Sequence, residues 1–128
     1  GLHRLQVVGA LHMLARRQLI GLRAIIGPAE AERLISSIPG IAVDQDNNWN
    51  KRYRENLERL KSGDLYQVAR VIKGLMHRDR RRGLSTGERK MLHAARQILL
   101  SELVLSEHEA YDVIETRVDR AMMQSPVQ

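Results

Sequence analysis

The feature that most constrains the fold is a long apolar stripe in the middle of the chain. Its members recur every three or four residues, the period of one face of an α-helix. Asp64 stands before the stripe as a helix N-cap, and Gly83 follows an arginine-rich last turn, where it can supply a left-handed residue. A helix from residue 65 to about residue 82 is therefore predicted. Its stripe is Leu65, Val68, Ala69, Ile72, Leu75 and Met76.

Two helices are predicted before this one. Pro28 suits the first position of a helix, and Pro39-Gly40 marks the end of that helix. The polar run VDQDNN is the clearest loop of the chain. Asn47 or Asn48, at the end of the loop, can cap a further helix from Trp49 to about Lys61.

Two capping-box motifs predict the last two helices. STGE places Ser85 and Glu88 at the start of a helix that runs to about Leu105. SEHE places Ser106 and Glu109 at the start of a helix that runs to about residue 123. The predicted inward-facing residues of the two helices are Met91, Leu92, Ala95, Ile98, Leu99 and Leu103, then Tyr111, Ile114, Val118, Ala121 and Met122.

Composition favours the same architecture. Hydrophobic residues make up 43% of the 128 residues and aromatic residues only 3%. The core must therefore be built from aliphatic residues and Met, which favours helix packing over a sandwich or a barrel. The sequence predicts an all-α protein: a compact bundle of about five helices joined by short loops, at residues 27–123. Residues 1–26 are expected to form a leader and residues 124–128 a tail.

Several kinds of chemistry find no support in the sequence. There is no cysteine, which excludes disulfides and thiolate catalysis and fits a reducing cytosol. The five histidines lack metal-binding spacings, and GLSTGE lacks the Gly-Lys-Ser/Thr of a phosphate loop. Asp79 and Glu88 stand among arginines, where ion pairs are expected rather than acid–base catalysis. No apolar run approaches the roughly 20 residues of a membrane span. We expect no enzyme, cofactor, metal, membrane or small-molecule ligand.

Positive charge is concentrated in the middle of the chain. From Trp49 to Arg96 there are 14 Lys and Arg against five Asp and Glu, a net charge of +9, and the remainder of the chain carries −3. Such a localised field points to a polyanionic partner, with nucleic acid first and an anionic membrane second.

Trp49, the single tryptophan, has two interpretations. It begins an apolar stripe at helical spacing, so it can be the first core residue of its helix. It also lies beside a polar loop, in the first turn of a basic helix. There it can be an exposed apolar wedge next to Lys51, Arg52 and Arg54, which are expected to project away from the stripe. The pattern of residues leaves both interpretations open.

Several motifs follow one another in order between Asn48 and Leu105. They are Asn-Trp, basic residues with Tyr, Asn-Leu-x-x-Leu, Ser-Gly-Asp, an Arg cluster, Gly-Leu-Ser-x-Gly-Glu and Ala-Arg-x-Ile-Leu. The segment resembles the C-terminal helical domain of the CarD/CdnL family of bacterial RNA polymerase-binding transcription regulators. Residues 20–38 resemble the entry to that domain more loosely.

The resemblance implies a role in transcription. In that family the helical domain contacts promoter DNA at the upstream edge of the melted region and stabilises the open complex. By position, Trp49 would be the wedge in the minor groove, Lys51, Arg52 and Arg54 would hold the backbone, and Tyr53 would pack. The resemblance also implies a cytoplasmic, nucleoid-associated bacterial protein.

Partners beyond DNA are also implied. A separate Tudor-like domain binds the RNA polymerase β subunit in full-length family members. Residues 1–26 are too few for that domain and are expected to be its remnant and linker. The alternative hypothesis is a helical protein-interaction module whose basic face binds an acidic protein partner.

Overall fold

The computed structural model of the protein describes residues 26–43 and 48–124. Within these ranges the chain is all-α, which confirms the predicted fold class. The predicted leader and tail lie almost wholly outside the described residues, as does Asn47. The elements are α1 (Pro28–Ser37), a 3-10 helix (Ile38–Gly40), α2 (Trp49–Lys61), α3 (Leu65–Arg82), α4 (Thr86–Glu107) and α5 (Tyr111–Met123).

Side-chain caps begin the three helices that form the middle of the fold. Asn48 accepts a hydrogen bond from the backbone N–H of Lys51 at 3.0 Å at the start of α2. Asp64 caps α3 at 2.9 Å from the Tyr66 N–H. Ser85 caps α4 in a full capping box with Glu88. These starts were predicted correctly because each cap satisfies local backbone donors and needs no tertiary information.

Gly83 ends α3 with φ +78° and ψ 166°. The positive φ explains why glycine stands here, since this region of backbone conformation is essentially reserved for glycine. The positive φ confirms the predicted left-handed residue, and the extended ψ places it outside the left-handed helical region.

The second predicted capping box does not form. Helix α4 continues through Ser106 to Glu107 and ends at His108, which adopts a left-handed conformation with φ 54°. Ser106 is 3% exposed, and its hydroxyl donates to the backbone carbonyl of Ile26 at 2.7 Å. Helix α5 then begins after Ala110 without a side-chain cap. The motif prediction is wrong because a tertiary hydrogen bond holds this serine inside the preceding helix.

The core lies between α3 and α4, which form the largest helix–helix contact, and the other helices cover them. Fully burying one large aliphatic side chain contributes about 1.5–3 kcal/mol. The predicted inward residues are buried or half-buried except Tyr111, which is 49% exposed at the first position of α5. The large apolar residues that are at most 1% exposed include Leu34, Ile38, Leu60, Ile72, Met91, Ile98, Leu99, Leu100, Leu103, Ile114 and Met122.

One lysine lies inside this core. Lys73 is 2% exposed, and its Nζ donates to the carbonyls of Ile38 at 2.9 Å and Pro39 at 2.8 Å. It therefore gives the Pro39 carbonyl a donor and adds a second donor to the Ile38 carbonyl, which also accepts from the Ile41 N–H at 3.1 Å. Burial lowers the pKa of Lys73 because it disfavours the charged ammonium.

Candidate nucleic-acid interface

Trp49 is the first residue of α2 and is 39% exposed. Its indole stacks on the ring of Tyr53, one turn later, with ring centroids 4.9 Å apart and an interplanar angle of 16°. Stacked aromatic pairs contribute about 0.5–1.5 kcal/mol beyond their buried area. The ring is therefore neither a core residue nor a loose surface residue: it is displayed on a second aromatic ring.

Tyr53 connects this display to α4. It is half-buried against the core. A Cβ placed on Gly87 would lie 3.7 Å from Cε2 and 3.8 Å from Oη of Tyr53, so the tyrosine ring lies over the first turn of α4. Tyr53 packs as the family resemblance implied, and the first turn of α2 rests on the first turn of α4.

Arg52 faces inward, contrary to the predicted orientation. It is 8% exposed, and its Nη2 lies 3.5 Å from Oε2 of Glu88. The reason is helical geometry: Arg52 and Tyr53 follow Trp49 by three and four residues, the two spacings that make side chains neighbours on a helix face. That face is the one that packs on α4.

Glu88 is shared among three helices. Its Oε2 also lies 3.5 Å from Nε of Arg78, on α3. Its Oε1 accepts from the backbone N–H of Ser85 at 3.2 Å and from the Ser85 hydroxyl at 3.1 Å. The carboxylate is only 4% exposed: Oε1 accepts the hydrogen bonds of the cap, and Oε2 faces the two guanidinium groups at ion-pair distance. One side chain thus ties α2, α3 and the cap of α4 together.

Exposed cations occupy the three helix ends that this network joins. They stand at the start of α2, at the end of α3 and at the start of α4. The positive ends of the α2 and α4 dipoles add to the same field. We call this set the basic surface: Lys51, Arg54, Arg80, Arg81, Arg82, Arg89 and Lys90.

The acidic residues of α2 lie further along the helix. Glu55 pairs with Arg59 at 3.8 Å, and Glu58 pairs with Lys61 at 3.7 Å. Exposed pairs of this kind contribute little to stability. Glu55 and Glu58 also line one groove with Lys51 and Arg54, so this side of α2 carries charges of both signs.

Arg96 is part of the basic segment of the sequence but not of the basic surface. It pairs with Asp119 and, at 2.9 Å, with Glu115, both on α5. Hydrogen bonds with Asp119, and secondarily with Glu115, raise the pKa of Arg96. The net charge of the sequence segment therefore overstates the field at this cation, because α5 supplies the counter-charge.

His77, on α3, contacts the backbone of α5. A ring nitrogen of His77 lies 2.8 Å from the backbone carbonyl of Met122. Among the described residues, no group of three or more His, Asp or Glu is arranged to hold a metal ion. No helix within the described ranges is long and apolar enough to cross a membrane.

Sequence reasoning missed the role of Glu88. The capping box and a local ion pair were both recognisable from the motif, but the partners on α2 and α3 come from tertiary packing. The inward direction of Arg52 had a signal, namely its spacing of three residues from Trp49 on a helix whose stripe begins there.

The fold and the site together define a class: a small helical domain that presents one supported aromatic ring beside an electropositive surface. The chain belongs to the CarD family, in the part of it described as "CarD, C-terminal domain", whose model matches residues 33–119. The match includes Trp49, Tyr53 and the ion pairs of Glu88 with Arg52 and Arg78. It confirms the resemblance seen in the motifs.

A curated relative agrees with this assignment. The Bacillus subtilis (strain 168) protein named "Putative transcription factor YdeB" is 36% identical to the chain over 55 residues. The aligned region covers 43% of this chain and 36% of that relative. The chain thus matches only about a third of the length of the relative.

Proposed function

We propose that this chain is the DNA-binding module of a transcription regulator that acts on promoter complexes. The CarD C-terminal family and the name of the relative support the transcriptional role. The observation that carries the DNA-binding part is the display of Trp49, 39% exposed and stacked on Tyr53 beside the basic surface.

The mechanism has an electrostatic step and an insertion step. The basic surface docks on the phosphate backbone, which releases counterions and is independent of sequence. Trp49 then enters the minor groove at a base step that is opening, at the upstream edge of the melted region. An apolar wedge at such a step is effective because unstacking costs a few kcal/mol, and less where pairing is already lost. Bound in this way, the module stabilises the open complex.

Lys51 and Arg54 are the proposed phosphate contacts on α2. Both are exposed and stand in the first two turns of α2, on the side of the helix away from Trp49. Arg52 is also a DNA-binding residue by resemblance. Its burial beside Glu88 favours an indirect contribution, in which the guanidinium holds the first turn in place.

The insertion step is tested by comparing plain duplex DNA with a duplex that ends in an unpaired fork. Trp49→Ala should reduce the preference for the fork about tenfold, since a lost base–aromatic stack costs about 1–3 kcal/mol. Affinity for plain duplex should change much less. An equal loss on both DNAs would contradict insertion, and a loss of the folded state would place Trp49 in the core.

The electrostatic step is tested by the salt dependence of duplex binding. Each phosphate contact contributes a slope of about −0.9 in log K against log salt. The double variant Lys51→Ala/Arg54→Ala should therefore flatten the slope by about 1.8. Arg33→Ala is a matched control, because Arg33 is exposed on α1 and pairs with Glu30 at 2.6 Å. An unchanged slope in the double variant would contradict phosphate contact at these two residues.

A helical module that binds an acidic protein partner is the second candidate function. The basic surface itself is the observation that favours it. It predicts binding to DNA that is indifferent both to the fork and to Trp49→Ala, so the fork experiment separates the two functions.

A further inference from the structure

The first turn of α2 is fixed to α4 by two contacts between neighbouring residues. Arg52 pairs with Glu88 at 3.5 Å, and the next residue, Tyr53, lies over Gly87, the residue before Glu88. Trp49 stacks on that same Tyr53. The direction in which the indole points is therefore set by how this turn sits on α4.

We propose that Glu88 is a positioning residue for Trp49. Its carboxylate holds Arg52 of α2 and Arg78 of α3 together, and so fixes the displayed ring relative to the cations at the end of α3. This inference rests on the proposed function in one respect, namely that the fixed direction matters for DNA insertion.

The charge of Glu88 is what the arrangement requires. Glutamine serves as well as glutamate at the third position of a capping box, so the cap of α4 does not need a negative charge. The two guanidinium groups do need it, because each lies 3.5 Å from the same carboxylate oxygen. Without the carboxylate, two cations would repel each other at a largely buried site, which is costly unless one of them moves.

A buried ion pair is by itself weak evidence for stabilisation, since apolar residues of similar volume often serve as well. Its best-attested use is to specify one arrangement among several. In this fold, the ion pair specifies how the first turn of α2 packs on α4. The turn carries Trp49, a large apolar residue that is 39% exposed.

Glu88→Gln tests the proposal, because it keeps the size of the side chain and the capping geometry and removes only the charge. The preference for forked over plain duplex DNA should fall about tenfold, close to the effect of Trp49→Ala. Affinity for plain duplex should stay equal or rise, since the net charge increases by one. A residue with a merely structural role would lower binding to both DNAs together.

Fluorescence gives a readout that does not depend on DNA. Trp49 is the only tryptophan in the chain, so its emission and its quenching by acrylamide report on this ring alone. Glu88→Gln should change both, with helical content retained by circular dichroism. Glu58→Gln is the matched control: it makes the same charge change on α2, where Glu58 is exposed and pairs only weakly with Lys61 at 3.7 Å.

The outcomes separate the inference from the proposed function. If Glu88→Gln matches Glu58→Gln in quenching and in fork preference, the positioning role is wrong. If Trp49→Ala leaves the fork preference unchanged, the proposed function fails, and the quenching comparison still decides whether Glu88 positions the ring. Should Glu88→Gln not fold, Arg52→Lys replaces it. That variant keeps the charge but not the planar fork of the guanidinium, so it should lower the fork preference part of the way. A wild-type preference would overturn the proposal.

Discussion

The indole of Trp49 stacks on the ring of Tyr53, with centroids 4.9 Å apart and planes 16° apart. The tyrosine covers one face of the indole, and 39% of Trp49 stays exposed to a partner. A ring held in this way loses little conformational freedom on binding, so less of the interaction energy is spent on ordering it. Helical spacing of four residues produces the pair, and contact with the first turn of α4 holds it in place.

Removal of the supporting ring should impair the wedge even though Trp49 remains. Tyr53→Ala should lower the fork preference about as much as Trp49→Ala does. It should also reduce the free energy of unfolding by about 1–3 kcal/mol, less than for a fully buried aromatic. Tyr53→Phe keeps the stacked ring and should retain most of the fork preference. Urea unfolding and fork-against-duplex binding measure the two effects. A full fork preference in Tyr53→Ala would show that the stack is dispensable.

The helix caps mark the boundary between what the sequence could predict and what it could not. Ser85 and Glu88 form the predicted capping box because both partners lie within one turn. The same motif at Ser106 fails because that serine finds a partner 80 positions away in the chain, the carbonyl of Ile26. Local rules hold where the donor and the acceptor are local, and they fail where packing offers a buried group a better partner.

The candidate site follows the same division. The position of Trp49 at the start of a basic helix was predictable from the cap and the charge pattern. The exposure of its ring was not, since the stripe that it shares with Tyr53 is equally compatible with core packing. The burial of Arg52 depends on Glu88, which is 36 positions later, so its environment could not be obtained from its charged neighbours in sequence.

The predicted capping box that does not form at Ser106 is tested by comparing two variants, Ser106→Ala and Glu109→Ala. Ser106→Ala removes a buried hydrogen bond and leaves the carbonyl of Ile26 without this donor, so the free energy of unfolding should fall by about 1–2 kcal/mol. Glu109→Ala changes an exposed residue that caps nothing in the structure, and it should stay within about 0.5 kcal/mol of the wild type. Denaturant unfolding of both variants is the measurement. Comparable losses of unfolding free energy in the two variants would indicate that Ser106 and Glu109 form a capping box after all.

Glu107 makes the stability of the domain depend on pH. Burial, and then the neighbouring Glu32 carboxylate, raise the pKa of Glu107 above its ordinary value of 4.5. In the window from 4.5 up to the raised pKa, the folded state holds a proton that the unfolded state has lost. The contribution of Glu107 to stability is therefore favourable below this window and is lost as the pH rises through it.

Glu107→Gln removes this titration and keeps a donor that can reach Glu32. The stability of the variant relative to the wild type should therefore increase from about pH 4 to about pH 7. Arg117, whose Nη1 lies 3.6 Å from Glu107, offsets part of the change. Urea unfolding at the two pH values measures the difference, with Glu58→Gln as the control for an exposed carboxyl. A relative stability that is flat or falls with pH would contradict the raised pKa.

Substitution of Lys73 tests whether a buried cation is needed as a donor to the carbonyls of the 3-10 helix. Lys73→Met fills a similar volume but leaves the carbonyls of Ile38 and Pro39 without the donor that reaches both. The Ile38 carbonyl keeps the Ile41 N–H as a donor, and loss of the donor to the Pro39 carbonyl costs about 1–3 kcal/mol. The variant also no longer buries an ammonium, whose burial is unfavourable and lowers the pKa of Lys73, and this offsets part of the loss. The net loss in the free energy of unfolding should be about 1–2 kcal/mol at neutral pH.

The pH dependence of Lys73→Met supplies the check on this account. Between the lowered pKa of Lys73 in the folded state and its ordinary value of 10.5, the unfolded state binds more protons than the folded state. The wild type should therefore gain on the variant as the pH rises through that window, because a neutral amine still donates to the carbonyls and carries no desolvated charge. Lys90→Met, the same substitution at an exposed position on α4, is the matched control. A gap between wild type and Lys73→Met that narrows with rising pH would mean that the charged form of Lys73 is the stabilising one.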